Sequence, residues 1–373
     1  MKDKNFNISG PKIRVLVAPL DWGLGHTTRC IPIISELLKQ DCEVLIGAEG
    51  HSKALLEQEF PQLTFLALKG YNMLYSRNQF WLPLKLLLQF PKLISRIYYE
   101  KRWLKKTIQL NRIDLVISDN RMGLNDPAVP CIYMTHQLTI KTGNRLTEWI
   151  AQRIHYHFIN QFNYCWVPDM AGTNNLAGAL SHPVFLPKIP LQYIGPLSRF
   201  EKISTEKKYD LAVILSGPEP QRTIFENIIL KELDNYKGEC LLVRGLPSGA
   251  EICKCKNELV EIHNHLSSTA LNNAIQQSAC VIGRAGYSTV MDLVKLQQKA
   301  ILIPTPGQTE QTYLASSLMQ KGIFYCIDQH EFSLHECLGK LADFSSDQLT
   351  INLDVYKAVI ENFILNLSLA SAE

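Results

Sequence analysis

The chain has 373 residues, longer than one hydrophobic core usually serves, so two domains are expected. Its 46% hydrophobic and 20% charged residues are ordinary for a soluble globular protein, and a net charge of +3 is too small to argue for a nucleic-acid partner. Residues 1–12 are polar, so no signal peptide is expected, and no stretch nears the roughly 18 apolar residues of a membrane span. The ten cysteines fall mostly inside expected strands, as at Cys131, Cys165, Cys240, Cys280 and Cys326, and read as reduced and buried. Cys253 and Cys255 lack the spacing and the second pair of a zinc site, so no metal is expected. These features describe a cytoplasmic protein.

Residues 13–18 read as a strand running into Asp21-Trp22-Gly23-Leu24-Gly25-His26-Thr27-Thr28-Arg29, with a helix expected over 28–39. Two glycines between a strand and a helix invite the dinucleotide fingerprint. That reading needs a third small residue where Thr28 and Arg29 stand, and Arg29 would crowd helix against sheet. Glu49 is the acidic residue it would use. His26 alone reads more simply as a helix-capping histidine, but its place in a glycine loop at a strand end favours a functional role.

Strands are expected at 43–48 and 64–68. Residues 80–106 then interleave Leu, Phe, Trp and Tyr with seven basic residues against one acid, Glu100. Such a segment suits an anionic membrane surface. It equally suits two amphipathic helices packed on the sheet with their lysine stems lying along it. Strands at 113–118 and 131–135 deliver Asp119 and His136 to their carboxyl ends. If the strands are parallel, Gly25, His26, Asp119 and His136 share one sheet edge. A helical region follows to about residue 162, then strands at 164–167 and 193–197. The charged stretch 198–208 suits a hinge.

The same logic restarts with a strand at 210–215 that ends in Ser216-Gly217, before a helix carrying Arg222. A Ser-Gly turn entering a helix is an anion cradle. Further strands at 240–244 and 259–262 lead to Arg244 and to His263-Asn264-His265-Leu266. The two histidines lack an accompanying carboxylate cluster, which argues against a metal. Strand 280–283, the turn Arg284-Ala285-Gly286, helix 287–297 and strand 300–304 form a βαβ unit, followed by a polar loop with Gln308, Thr309, Glu310 and Gln311. Ligands of such sheets bind beyond the carboxyl ends of the strands. Gly286 is expected to let backbone approach a ligand, with the helix dipole behind it. Asp292, in the second turn of that helix, is placed as an acceptor for hydroxyls. A strand at 324–327 and helices at 331–341 and 354–369 end the chain.

The segment Gly286-Tyr287-Ser288-Thr289-Val290-Met291-Asp292, followed by Pro304 and Glu310-Gln311, resembles the donor-binding segment of the family 28 glycosyltransferases. Asp292 stands where the lipid II-forming enzyme has Glu. The Gly-x-Gly-His run at Gly23, Gly25 and His26 resembles the amino-terminal glycine loop of the same enzymes, with Thr27 beside it. The resemblance implies an α/β protein of two Rossmann-like, doubly wound parallel-sheet domains facing across a cleft, the GT-B arrangement. Residues 1–198 would bind acceptor, 199–345 would bind the nucleotide sugar, and 346–373 would pack back towards the first domain.

The implied reaction is metal-independent sugar transfer with inversion, from a UDP-sugar to a hydroxyl of a lipid-linked or cell-envelope glycan, and no cofactor is implied. Peripheral membrane contact through 80–106 follows from the same resemblance. Donor contacts are expected from Ser216, Gly217, Arg222, Arg244, His265, Leu266, Arg284, Ala285, Gly286, Ser288, Thr289, Asp292, Gln308, Glu310 and Gln311. His26, Asp119 and His136 are the candidate catalytic groups. Histidine titrates near neutrality as a residue type, whereas a carboxylate base would need a large upward shift. His26 is therefore expected as the base, and Asp119 as its orienting partner or an acceptor-binding carboxylate. An epimerase or hydrolase on the same fold, and a non-catalytic nucleotide-sugar binder, stay open beside this reading.

Overall fold

A computed structural model describes residues 12–71, 82–246, 253, 255–344 and 352–370. The first half alternates β1 (Arg14–Pro19), α1 (Leu24–Lys39), β2 (Glu43–Ala48), α2 (Gly50–Glu59), β3 (Thr64–Ala67), α3 (Leu82–Asn111), β4 (Leu115–Asp119), β5 (Cys131–Met134), α4 (Arg145–Ile159), β6 (Tyr164–Val167) and β7 (Leu191–Tyr193). The second continues with β8 (Tyr209–Ile214), α5 (Gln221–Leu233), β9 (Cys240–Val243), β10 (Val260–His263), α6 (Ser268–Gln276), β11 (Ser278–Arg284) and α7 (Tyr287–Leu296). It closes with β12 (Ala300–Ile303), α8 (Thr309–Gln320), β13 (Tyr325–Cys326), α9 (Leu334–Asp343) and α10 (Val355–Ala370).

The strands form two sheets, ordered β3-β2-β1-β4-β5-β6-β7 and β10-β9-β8-β11-β12-β13. Every pairing is parallel, as in β1 with β4 and β8 with β11. Strands covered by helices on both faces are apolar throughout rather than alternating; Val15, Leu16, Val17 and Ala18 are all fully buried. In each sheet the order reverses beside the first strand, between β1 and β4 and between β8 and β11. Crevices open at the carboxyl ends of such switch points. His26 follows β1 and Asp119 ends β4; Ser216 follows β8 and Gly286 follows β11. The topology therefore brings the expected groups of each half to one crevice.

Four local expectations are corrected. α1 begins at Leu24 rather than near residue 28, so Gly25 and His26 already lie in its first turn, and only Gly23, at φ 84, keeps a glycine-type backbone. Residues 82–111 form one helix, not two, and it runs through Pro91. A proline costs a helix one hydrogen bond, and burial of Ile97, Glu100 and Leu104 anchors the turns beyond it. Side chains of 82–90 lie outside the described residues, as do residues 72–81, and the first part of the expected basic segment falls on them. The last strand of the first sheet spans 191–193 and stops before Gly195, whose φ is 78. The polar loop after β12 ends at Gln308, and Thr309, Glu310 and Gln311 open α8. Helices α2 and α6 have no counterpart among the expected elements.

The chain returns to its first half at the end. Phe363 of α10 meets Tyr164 and Trp166 of β6 edge-on, with ring centroids 5.2 and 5.7 Å apart. Tyr356, Ile360 and Ile364 are buried in the apolar cluster that also contains Ile33 and Ile34 of α1 and Val290 and Met291 of α7.

Candidate active site

The first-domain crevice is organised by a residue that sequence reading treated only as a steric obstacle. Arg29, one turn beyond His26 on α1, is buried, and its guanidinium reaches every candidate catalytic group. Its Nε donates to Asp119 Oδ2 at 2.9 Å, and Nη2 donates to Asp119 Oδ1. Nη1 donates to His136 Nδ1 at 2.8 Å, and Nη2 lies 2.8 Å from His26 Nδ1. The i, i+3 spacing on a helix was the signal available for finding it.

Asp119 is fully buried and therefore cannot hold an acceptor directly, which corrects one of its two expected roles. Burial works to raise its carboxyl, but Arg29 and His26 outweigh it and hold Asp119 below its usual range. Its Oδ2 lies 3.1 Å from His26 Nδ1, the contact that the expected orienting role needs. A guanidinium can only donate, so His136 Nδ1 accepts from Arg29 and Nε2 carries the proton, which it donates to Glu310 Oε1 at 2.7 Å. Burial lowers the His136 ring, with Arg29 and His26 adding to it against the pull of Glu310. Both ring nitrogens are engaged, so His136 is not available as a base in this arrangement. His26 differs. Its side chain keeps 17% exposure at the cleft, and only Nδ1 has a hydrogen-bond partner among the described residues. Thr27, expected beside the acceptor, is instead buried, with its hydroxyl donating to Ser52 Oγ.

The second domain closes directly over this crevice. Ser288 Oγ donates to Gly25 O at 2.9 Å. Tyr287 stacks on His136, with centroids 4.2 Å apart, and its hydroxyl donates to Pro168 O. Glu310 accepts from both His136 and Gln137, so its role here is inter-domain rather than free donor contact. Thr309 Oγ1 donates to Lys141 O, and Tyr313 OH accepts from Ala179 N. α8 is therefore an inter-domain element.

On the donor side the expected arginines turn inward. Arg222 pairs with Glu219 and Glu226, and Arg244 pairs with Glu226 and Asn264. Arg284 is buried over the Phe225 ring at 4.2 Å, donating to Gln221 O and Gln329 Oε1, and burial lowers it to about 10. Arg244 is only partly buried. Arg222 and Arg284 are buried, and a buried guanidinium is drawn to acceptors within the protein, although Arg284 Nε finds none among the described residues. Ala285 is buried with it. Gly286 has φ −79, and an added Cβ would meet nothing closer than 3.9 Å, so the backbone does not itself require glycine there.

Asp292 Oδ1 accepts from Ser198 Oγ at 2.6 Å, which sets this carboxyl against the inter-domain linker. What remains open at the edge is Ser216, Gly217 at φ 103 and His265, all exposed, with Leu266, Ser288, Thr289, Gln308 and Gln311 partly exposed. Gln311 bridges Thr305 N and Gln308 Oε1. Thr305, a residue the sequence did not single out, is buried with no hydroxyl partner among the described residues, and it faces Gly217. Among those residues no group of His, Cys, Asp or Glu could hold a metal ion.

Comparison with known proteins matches this architecture. Residues 254–358 fit the model described as the glycosyltransferase family 28 C-terminal domain. A Methanosarcina acetivorans protein described as an uncharacterized glycosyltransferase is 23% identical over 336 residues, covering 83% of this chain and 84% of its own. The Thermosipho africanus UDP-N-acetylglucosamine–N-acetylmuramyl-(pentapeptide) pyrophosphoryl-undecaprenol N-acetylglucosamine transferase is 28% identical over 148 residues, 39% of this chain and 42% of its own. Among solved structures, the kitacinnamycin glycotransferase superposes with a TM-score of 0.63 at 13% identity, covering 96% of both chains. MurG of Acinetobacter baumannii does so with a TM-score of 0.57 at 12% identity, covering 95% of this chain and all of that one. With two parallel-sheet domains, a segment at residues 254–358 that matches the family 28 C-terminal domain, and these neighbours, the chain has the GT-B fold and is similar to the family 28 glycosyltransferases.

Proposed function

We propose that the protein transfers a sugar from a UDP-sugar to a hydroxyl of a lipid-linked or cell-envelope glycan, with inversion and without a metal. The observation that carries this reading is the placement of His26 at the cleft, with Nδ1 against Asp119 and Nε2 unengaged by the described residues. The base role requires the tautomer in which Nδ1–H donates to Asp119 Oδ2 while Arg29 Nη2 donates to Asp119 Oδ1 rather than to His26; in that tautomer the ring takes the acceptor's proton on Nε2. The acceptor oxygen attacks the anomeric carbon, and the nucleoside diphosphate leaves with the bonding pair. Asp119, kept ionised by Arg29, balances the imidazolium that forms. Leaving-group charge falls beside the exposed Ser216-Gly217 turn and the amino-terminal end of α7. Thr305 Oγ1 is a further donor at that turn. Exposed Lys92, Arg102, Lys105 and Lys106 on α3 support the accompanying reading of peripheral membrane contact.

The test begins with mass-spectrometric identification of the nucleotide sugar consumed by the purified protein with a glycan acceptor. His26→Ala is expected to lower kcat by roughly 10²–10⁴-fold while leaving UDP binding nearly unchanged. Near-native turnover in that variant would move the base elsewhere. Release of free sugar or an isomer by the wild type would replace transfer with hydrolysis or epimerisation.

A further inference from the structure

We infer that Glu310 and His136 are positioning residues that fix the ring proton of His26 on Nδ1, acting through Arg29, a role that rests on the reading of His26 as the base. Nδ1 of His26 stands between two rival partners. Asp119 Oδ2, at 3.1 Å, belongs to a carboxylate that can only accept from it, whereas Arg29 Nη2, at 2.8 Å, can only donate to it. The first partner places the proton on Nδ1 and leaves a lone pair on Nε2, so the ring can take a proton from the acceptor. The second occupies the Nδ1 lone pair and moves the proton to Nε2, where it blocks that step. A small shift of one guanidinium therefore decides whether the cleft holds a base.

The other hydrogen bonds around Arg29 have a fixed direction. Nε and Nη2 donate to the two oxygens of Asp119, and Nη1 donates to His136 Nδ1 at 2.8 Å. These arms belong to one rigid plane, so an acceptor that holds Nη1 limits where Nη2 can reach. Arg29 is 2% exposed and Asp119 is fully buried, so water supplies no substitute partner. His136 accepts from Arg29 only while its Nδ1 is bare, which requires its proton to sit on Nε2. Glu310 meets that requirement, since its Oε1 lies 2.7 Å from His136 Nε2 and a carboxylate accepts. The ring is held for this contact by its stack on Tyr287, with 12° between the planes. Glu310 is held in turn by Gln137, whose Nε2 donates to its other oxygen.

Donation thus runs in one chain from the second domain to the base. Glu310 lies in the first turn of α8, while His136, Arg29, Asp119 and His26 all belong to the first domain. Withdrawal of Glu310 releases Nε2 of His136, opens the Nδ1–H form to that ring and takes the acceptor from Nη1. The guanidinium then settles on His26 Nδ1. Closure of the cleft assembles the base, and an open cleft holds none to activate water against bound donor.

The proton can be read directly. Long-range proton–nitrogen spectra of the full chain with labelled histidine, near neutral pH and without donor or acceptor, distinguish the two ring nitrogens. Wild type is expected to carry the proton of His26 on Nδ1 and that of His136 on Nε2. Glu310→Ala and His136→Phe, the latter keeping the stack on Tyr287, should each move His26 towards the Nε2–H form. Glu310→Gln retains an acceptor for His136 and should move it less. The Nδ1–H form of His26 in wild type and variants alike would overturn the proposal and leave the base in place. The Nε2–H form in wild type would remove both. In transfer assays with the nucleotide sugar that wild type consumes, Glu310→Ala and His136→Phe should each lower kcat by about 10²-fold. Donor KM should hold, and the double variant should fall no further than the worse single one. A raised donor KM with kcat intact, or additive losses, would make Glu310 a direct donor contact and overturn the proposal. The Glu310 side chain is 32% exposed, so Glu310→Ala should melt close to wild type and carries the test if the buried His136→Phe fails to fold.

Discussion

Replacing Arg29 with methionine would leave the fully buried Asp119 carboxylate with His26 but without its guanidinium. Removing one partner of a buried ion pair costs about 3–5 kcal/mol, and urea denaturation of Arg29→Met should show a loss of that size. Arg29→Lys keeps the charge but not the fork that touches three groups at once, so it should recover only part of it. A denaturation midpoint unchanged in Arg29→Met would mean that the side chain is not the organiser of the cluster. His26, Asp119 and His136 were legible in the sequence because a parallel sheet sends residues after its strands to one edge. Arg29 was not, because a charged residue inside an amphipathic helix is ordinarily solvated. The direction in which Arg222, Arg244 and Arg284 turn was equally hidden. It depends on acceptors such as Glu226 and Gln329 that lie far away in sequence.

At the scale of elements, α7 makes two contacts that can be separated. A Cβ added to Gly25 would sit 2.8 Å from Ser288 Oγ, too close for both to stay. Gly25→Ala should therefore cost the Ser288 hydrogen bond, about 1 kcal/mol. In a Gly25→Ala/Ser288→Ala background the alanine should cost less, and a double-mutant cycle with no coupling would show that the two helices do not meet in solution. The second contact is Asp292 at the linker. Burial raises its carboxyl to about 6, with Arg199 and Ser198 opposing. A carboxyl raised on folding contributes stability below its unfolded value near 4 and loses it as pH climbs through about 6. Asp292→Asn escapes that loss, so its midpoint should exceed wild type by about 1–3 kcal/mol above pH 6 and not below pH 4. Parallel curves for the two proteins from pH 4 to 8 would contradict the burial. The strand positions were readable from short apolar runs bounded by turns. The start of α8 was not, because Thr309, Glu310 and Gln311 read as loop when their partners on the other domain are unseen.

For the whole molecule, closure depends on groups that titrate. Burial lowers His136, so folding favours its neutral form, and that contribution is present above the ordinary histidine range and lost as pH falls through it. Glu310 is pushed up by burial but held below its usual value by His136, His26 and Arg29, so its contribution is lost as pH falls further. Both act in the same direction. Acidification below about pH 6.5 should loosen the joint between the domains, seen as a rise in radius of gyration by small-angle scattering. Glu310→Gln should start looser at neutral pH and respond less. A radius constant from pH 7.5 to 4.5 would show that other contacts, such as Ser288 with Gly25, hold closure unaided.

The return of α10 to the first domain orders events during synthesis. The amino-terminal half leaves the ribosome first, yet the aromatic surface of Tyr164 and Trp166 and the neighbouring side of α1 receive their cover from residues 355–370. That half must wait, incompletely capped, while the whole second domain is made. The chain thereby passes twice between its domains, once near residue 198 and once before α10. A joint crossed by two strands of chain bends about the line between them more readily than it twists, so the cleft should open as a hinge with one preferred axis.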